Sequence, residues 1–147
     1  PRIIDPRNAF IMYDLLKDVI TNGTARKAKT LKRPDIAGKT GTTNDLMDAW
    51  FAGFNSDIVT VTWMGYDQPK SLGNKETGSR AALPIWIDYM RPLLKDYPIK
   101  NLVKPEGIIP FKVNKKTGMT NNADEDGLYE YFYEEYPPFD NSYFVIN

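Results

Sequence analysis

Three apolar runs lie between residues 36 and 67 with almost nothing between them, and this spacing constrains the fold more than any other feature. The runs are "IAGKTGTT" (36–43), "AWFAGFN" (49–55) and "DIVTVTWMGYD" (57–67), rich in β-branched and aromatic residues. In the third, Ile58, Thr60, Thr62 and Met64 fall on one side and Val59, Val61 and Trp63 on the other. Short Asn, Asp and Ser turns join the runs, whereas a parallel pair needs a crossover of about a dozen residues or more. They are therefore expected to form an antiparallel meander.

Helical patterns flank it. Ala9, Met12, Tyr13, Leu16, Val19 and Ile20 recur at helical spacing. Asp5-Pro6 suits the start of that helix and Asn22-Gly23 its end, giving a helix over 6–22. "SRAALPIWIDYMRPLLKDY" (79–97) reads as a second helix, with Pro84 near its first turn, Pro92 kinking it, and Trp86, Tyr89, Met90 and Leu93 as a buried stripe. Helix, three antiparallel strands, helix is an α+β pattern. Residues 68–78 are a loop by their Pro, Gly and Asn content.

Composition excludes several chemistries. Lys plus Arg equals Asp plus Glu at 19 each, so net charge gives no pull toward nucleic acid. The chain has neither cysteine nor histidine. Disulfides, thiolate nucleophiles and a Ser–His–Asp triad cannot be built from it alone, and proton transfer must use Lys, Tyr, Asp or Glu. No apolar run approaches membrane-spanning length. The basic stretch "ARKAKTLKR" (25–33) reads as a solvated face; the sharper alternative is a positive rim facing an anionic polymer. Asp124, Glu125 and Asp126 lack the ligand spacing of an EF-hand, so no metal or cofactor is expected.

Within the first strand, "GKT" invites a phosphate-loop reading, which fails on spacing. The glycine needed five residues before Gly38 is Arg33, and Pro34 follows it without an N–H to give. Read instead as a strand, Lys39 and Gly41 project to one side and Thr40 and Thr42 to the other. Gly41 lets another group lie close to the backbone. Lys39 supplies a cation, and Thr40 and Thr42 supply hydroxyls of restricted rotamer. An edge strand so equipped can hold an extended peptide ending in a carboxylate. The letters recur as Lys116-Thr117-Gly118, among polar turn formers, where Gly118 reads as a hairpin or bulge glycine. The tripeptide alone is thus weak evidence.

Its setting is more specific. "KTGTTND" (39–45), "DAWFAGF" (48–54), "VTVTWMGYD" (59–67) and "TGSRAALPIW" (77–86) follow one another with short gaps. This order resembles the C-terminal half of the transpeptidase domain of class A, bifunctional penicillin-binding proteins, in which Lys-Thr-Gly is the third motif after Ser-x-x-Lys and Ser-x-Asn. The resemblance implies a penicillin-binding/β-lactamase-like fold, a five-stranded antiparallel sheet flanked by helices, with three strands from this chain. It assigns 1–97 to half of that domain and leaves 98–147 as a tail, acidic and aromatic-rich, whose Tyr129, Tyr131, Phe132, Tyr133 and Tyr136 read on composition as docking it on a surface. The implied activity is D,D-transpeptidation. A serine attacks the D-Ala-D-Ala end of a peptidoglycan stem peptide, D-alanine leaves, a neighbouring amine takes the acyl group, and β-lactams acylate the same serine. Lys39 would support the serine's proton relay. Lys39, Thr40, Gly41, Thr42 and Thr43 would bind substrate or antibiotic, with the Thr42 N–H as an oxyanion-hole donor.

The departure from the family is equally plain. None of Ser56, Ser71, Ser79 and Ser142 begins a Ser-x-x-Lys, and there is no Ser-x-Asn. Thr24-Ala25-Arg26-Lys27 has the spacing with the wrong first residue. The nucleophile, a glycosyltransferase domain and a membrane anchor are expected in an N-terminal remainder of the same protein. That remainder would hold the domain at the periplasmic face of the bacterial inner membrane. Two alternatives remain: a non-catalytic module whose open edge strand binds peptides, and a β-lactam sensor or D,D-carboxypeptidase relative. The stretches "AWFAGF" (49–54) and "SRAALPIW" (79–86) argue against the latter.

Overall fold

The computed structural model describes residues 3–120 and 127–138. The chain divides into two compact units, Pro1–Ile11 with Val103–Asn147, and Met12–Leu102. Helix α1, Pro6–Thr21, contributes its first turns to one and its remainder to the other.

In the Met12–Leu102 unit, α1 buries Ile20 and lays Tyr13 6.0 Å from the Phe54 ring. Met12, expected on the buried stripe, is 52% exposed. The helix ends where the Asn22 and Gly23 N–H groups both donate to the Asp18 carbonyl, and a Cβ at Gly23 would sit 2.8 Å from the Val19 Cα. The basic stretch that follows is a 3₁₀ turn, Arg26–Leu31, which buries Ala28 and leaves Arg26, Lys27 and Lys29 exposed.

Strands β1 (Ala37–Thr42), β2 (Ala49–Phe54) and β3 (Val59–Met64) form the expected antiparallel meander in the order β1-β2-β3. Register pairs Gly41 with Trp50 and Trp50 with Trp63. One face carries Ala49, Phe51, Gly53, Thr60, Thr62 and Met64 and faces the core. The other exposes Trp50, Val59, Val61 and Trp63. The Asn55 side-chain oxygen accepts the N–H groups of Asp57 and Ile58, which fixes the β2–β3 turn.

The predicted second helix begins as a π-helical turn, Gly78–Ala82, and continues as α2, Leu83–Leu93. Trp86 and Met90 are buried, as expected. Tyr89 is 56% exposed, because it lies about 100° around the helix from Met90. Leu83, Ile87 and Leu94 complete the stripe instead. The Trp86 ring meets Phe51 edge-on at 5.0 Å and its indole N–H donates to the Thr60 carbonyl. Burying side chains of this size contributes roughly 1.5–3 kcal/mol each.

In the other unit, β4 (Ile108–Val113) and β5 (Leu128–Tyr133) pair antiparallel, from Ile108 against Tyr133 to Val113 against Leu128. Reading this region as a tail missed both strands. Prolines and turn formers interrupt its apolar runs, and Pro110 is tolerated because a two-stranded ladder consists of edges. Phe10 meets Tyr131 edge-on at 4.9 Å, and the Arg7 guanidinium lies over the Tyr133 ring while donating to Glu135 at 2.6 Å. Tyr129 and Tyr136 are exposed. Asp124, Glu125, Asp126 and Ser142 lie outside the described residues.

Candidate active site

The Lys-Thr-Gly strand is held at both ends. Immediately before it, the Arg33 guanidinium donates to both Asp35 carboxylate oxygens, at 2.7 and 2.6 Å, and both side chains are buried. Arg33 also reaches the carbonyls of Leu94, Tyr97 and Pro98, beyond the end of α2. The Lys100 N–H donates to Asp35, and the Tyr13 hydroxyl donates to the Asp35 carbonyl. Burial alone would raise the Asp35 carboxyl; the Arg33 and Lys100 hydrogen bonds outweigh it and hold the group below its ordinary value.

After the strand, Thr43 closes the turn. Its hydroxyl accepts the Asp48 N–H at 2.8 Å and donates to the Asp48 carboxylate at 3.2 Å. The other Asp48 oxygen accepts the Trp63 indole N–H at 2.9 Å, tying the β1–β2 turn to β3. The turn places Asp45 and Leu46 at positive φ, 57° and 56°. For leucine this is an uncommon conformation, stabilised here by the Leu72 N–H on the Leu46 carbonyl.

Between these anchors, β1 pairs with β2 along one edge, and among the described residues no strand lies along the other. The Thr43 N–H donates to the Asp48 carbonyl. N–H groups alternate between the two edges of an antiparallel strand, so those of Lys39 and Gly41 face β2 and those of Thr40 and Thr42 face the open edge. The Lys39 ammonium is exposed and donates to the Thr40 carbonyl at 2.9 Å. The Thr40 hydroxyl pairs with that of Thr24 at 2.8 Å. The Thr42 hydroxyl accepts the Gly78 N–H at 3.0 Å.

The five predicted site residues are therefore contiguous, Lys39 to Thr42 on the open strand and Thr43 in the turn that follows it, and residues assigned no such role from sequence hold them. Thr24, Arg33, Asp35, Asp48 and Gly78 had no chemical signature of their own, although Asp48 and Gly78 lie within the family-like motifs at 48–54 and 77–86. The second Lys-Thr-Gly is elsewhere: the Lys116 and Thr117 N–H groups bond the Asn114 side chain, and Gly118, at φ 69°, caps the turn, as expected of a hairpin glycine. Among the described residues no group of acidic side chains could hold a metal, and no helix is long and apolar enough to cross a membrane.

No family model matches the chain. Individual relatives do. It is 51% identical over 138 residues to penicillin-binding protein 1A of Pseudomonas aeruginosa, a match over 93% of this chain and 17% of that protein. It is 55% identical over 109 residues to penicillin-binding protein 1A of Neisseria lactamica, over 74% of this chain and 14% of that one. The crystal structure of penicillin-binding protein 1A from Haemophilus influenzae superposes with a TM-score of 0.85 at 36% identity, covering 95% of this chain and 22% of that one. The chain belongs to the penicillin-binding proteins of type 1A. It spans less than a fifth of the length of these two sequence relatives.

Proposed function

We propose that this chain is the C-terminal part of a peptidoglycan D,D-transpeptidase and supplies the Lys-Thr-Gly-Thr wall of its active site. The carrying observation is the open edge of β1. An exposed ammonium at Lys39, N–H groups of Thr40 and Thr42, and an exposed Thr42 hydroxyl lie along it within four residues. An extended stem peptide ending in D-Ala-D-Ala, or a β-lactam imitating it, would lie along this edge. Its carboxylate would take the Thr40 and Thr42 hydroxyls, and its reacting carbonyl would take the Thr42 N–H as one oxyanion donor. Lys39 adds a positive potential beside the serine hydroxyl that must lose its proton. Thr43 serves through the turn it closes, and Gly41 by leaving room for the chain packed behind it.

No serine in this chain has the lysine a penicillin-binding nucleophile uses, so the serine, its lysine and the second motif belong to the N-terminal remainder of the protein. That remainder would also carry glycosyltransferase activity and a membrane anchor, and would hold this domain on the periplasmic face of the inner membrane. It would add two strands beside β3. No cofactor takes part.

The test is acylation of the complete protein by a labelled penicillin. Lys39→Ala should slow it about tenfold or more, the loss of a charged hydrogen-bonding group worth roughly 1.5–3 kcal/mol. Lys116→Ala, in the look-alike turn, should leave it within error. Equal effects from the two lysines would remove β1 from the site.

A further inference from the structure

The Thr42 hydroxyl is exposed yet already engaged, and the group that engages it is unusual. Gly78 is buried at the start of the π-helical turn, and its N–H donates to the Thr42 Oγ1 at 3.0 Å. No side chain is tolerated there. A Cβ at position 78 would come within 2.3 Å of the Trp50 carbonyl oxygen and 2.4 Å of the Gly41 carbonyl oxygen. Those are the carbonyls of the Gly41–Trp50 pair that joins β1 to β2, so Gly78 lies directly over the ladder. The absence of a side chain at Gly78 brings this amide within reach of Thr42.

The consequence is chemical. A hydroxyl carries one donor hydrogen and acceptor lone pairs. With the Gly78 N–H occupying a lone pair, the hydroxyl oxygen is fixed on one side and its hydrogen is left to donate on the other. A carboxylate accepts only. A backbone donor behind the oxygen also polarises the O–H and strengthens the bond it gives. A threonine on an exposed strand would otherwise have to choose its rotamer when the ligand arrives.

We propose that Gly78 is a positioning residue for the Thr42 hydroxyl: its N–H sets the Thr42 rotamer and turns the O–H outward as a donor to the carboxylate of the bound peptide or β-lactam. This deepens the reading of Thr42 given above and rests on it. Gly78 touches no substrate, and its N–H acts through the Thr42 hydroxyl.

The experiment uses the complete protein and two probes, a β-lactam with its free ring carboxylate and the methyl ester of the same compound. Second-order acylation rates are measured for wild type, Gly78→Ala, Thr42→Val and the double variant. Gly78→Ala, whose methyl also presses on the Gly41 and Trp50 carbonyls, is expected to slow acylation by the acid about tenfold or more beyond its effect on the ester, and to lose that excess in the Thr42→Val background. A general packing defect would slow both probes alike, and that result overturns the proposal. So does an equal effect of Gly78→Ala in the wild-type and Thr42→Val backgrounds. If Thr42→Val itself leaves acylation by the acid unchanged, the carboxylate reading of Thr42 fails first. Should Gly78→Ala not fold, hydrogen exchange decides. Thr42→Val, which removes the acceptor, should speed exchange of the Gly78 amide about tenfold or more, and an unchanged rate refutes the contact.

Discussion

Asp35→Ala should lower the stability of the transpeptidase domain by roughly 3–5 kcal/mol, the size expected when one partner of a buried ion pair is removed. The alanine leaves the Arg33 guanidinium buried without its counter-charge, 8% exposed at the side chain. It also removes the acceptor of the Lys100 N–H. Arg33 would keep its bonds to the Leu94, Tyr97 and Pro98 carbonyls, but those are neutral dipoles. Asp35→Asn should destabilise less, since an amide oxygen can still accept. The pH dependence follows from the sign of the shift. The Asp35 carboxyl is held below its ordinary value in the folded protein. Its contribution is therefore complete above the unfolded value of about 3.9 and fades as pH falls through the lower folded value. The gap between wild type and Asp35→Asn should be constant from about pH 5 to 8 and narrow below about pH 4. Urea unfolding at several pH values measures it, and equal midpoints at neutral pH would contradict the account.

The exchange of β3 amides should change by about a thousandfold or more when the N-terminal remainder is present. The Asn55 N–H donates to the Ile58 carbonyl. Alternation then turns the N–H groups of Thr60, Thr62 and Met64 toward β2 and those of Val59, Val61 and Trp63 toward the outer edge. Their side chains leave that edge apolar, with no lysine or proline between 57 and 67 to guard it against pairing with another chain. In the isolated chain the amides of Val59, Val61 and Trp63 should exchange close to the rate of unstructured peptide. In the whole domain, if the proposed N-terminal strand pairs with β3, they should open only with substantial unfolding. Domain stabilities of 5–15 kcal/mol and tenfold per 1.4 kcal/mol set the scale. Slow exchange at these three positions in the isolated monomer would sink the missing-strand argument.

The meander was legible because its evidence is local. Turns of a few residues force antiparallel neighbours, and alternation in 57–67 fixed which side chains share a face, though not that the Thr60 and Thr62 face is the one turned to the core. The Lys-Thr-Gly segment was legible as a strand for the same reason. What holds the strand was not legible. Arg33 and Asp35 look like a solvated charge pair until residues 94–100 return to cover them. Asp48 looks like a turn aspartate until Trp63 arrives. Gly78 carries no side chain to announce a role. Each depends on contacts far apart in sequence, which no periodicity encodes. The β4–β5 hairpin escaped for a different reason: its strands are short, interrupted by Pro110 and surrounded by turn formers, so composition outweighed alternation.

The central claim is that this chain forms one wall of a penicillin-reactive site whose nucleophile lies elsewhere in the protein. The most direct measurement is mass-spectrometric mapping of the adduct after the complete protein and the isolated 147-residue chain are each treated with a labelled penicillin. The account predicts one stoichiometric adduct in the complete protein, on a serine outside these residues that begins a Ser-x-x-Lys, and none on the isolated chain. A stoichiometric adduct on Ser56, Ser71, Ser79 or Ser142 would contradict it.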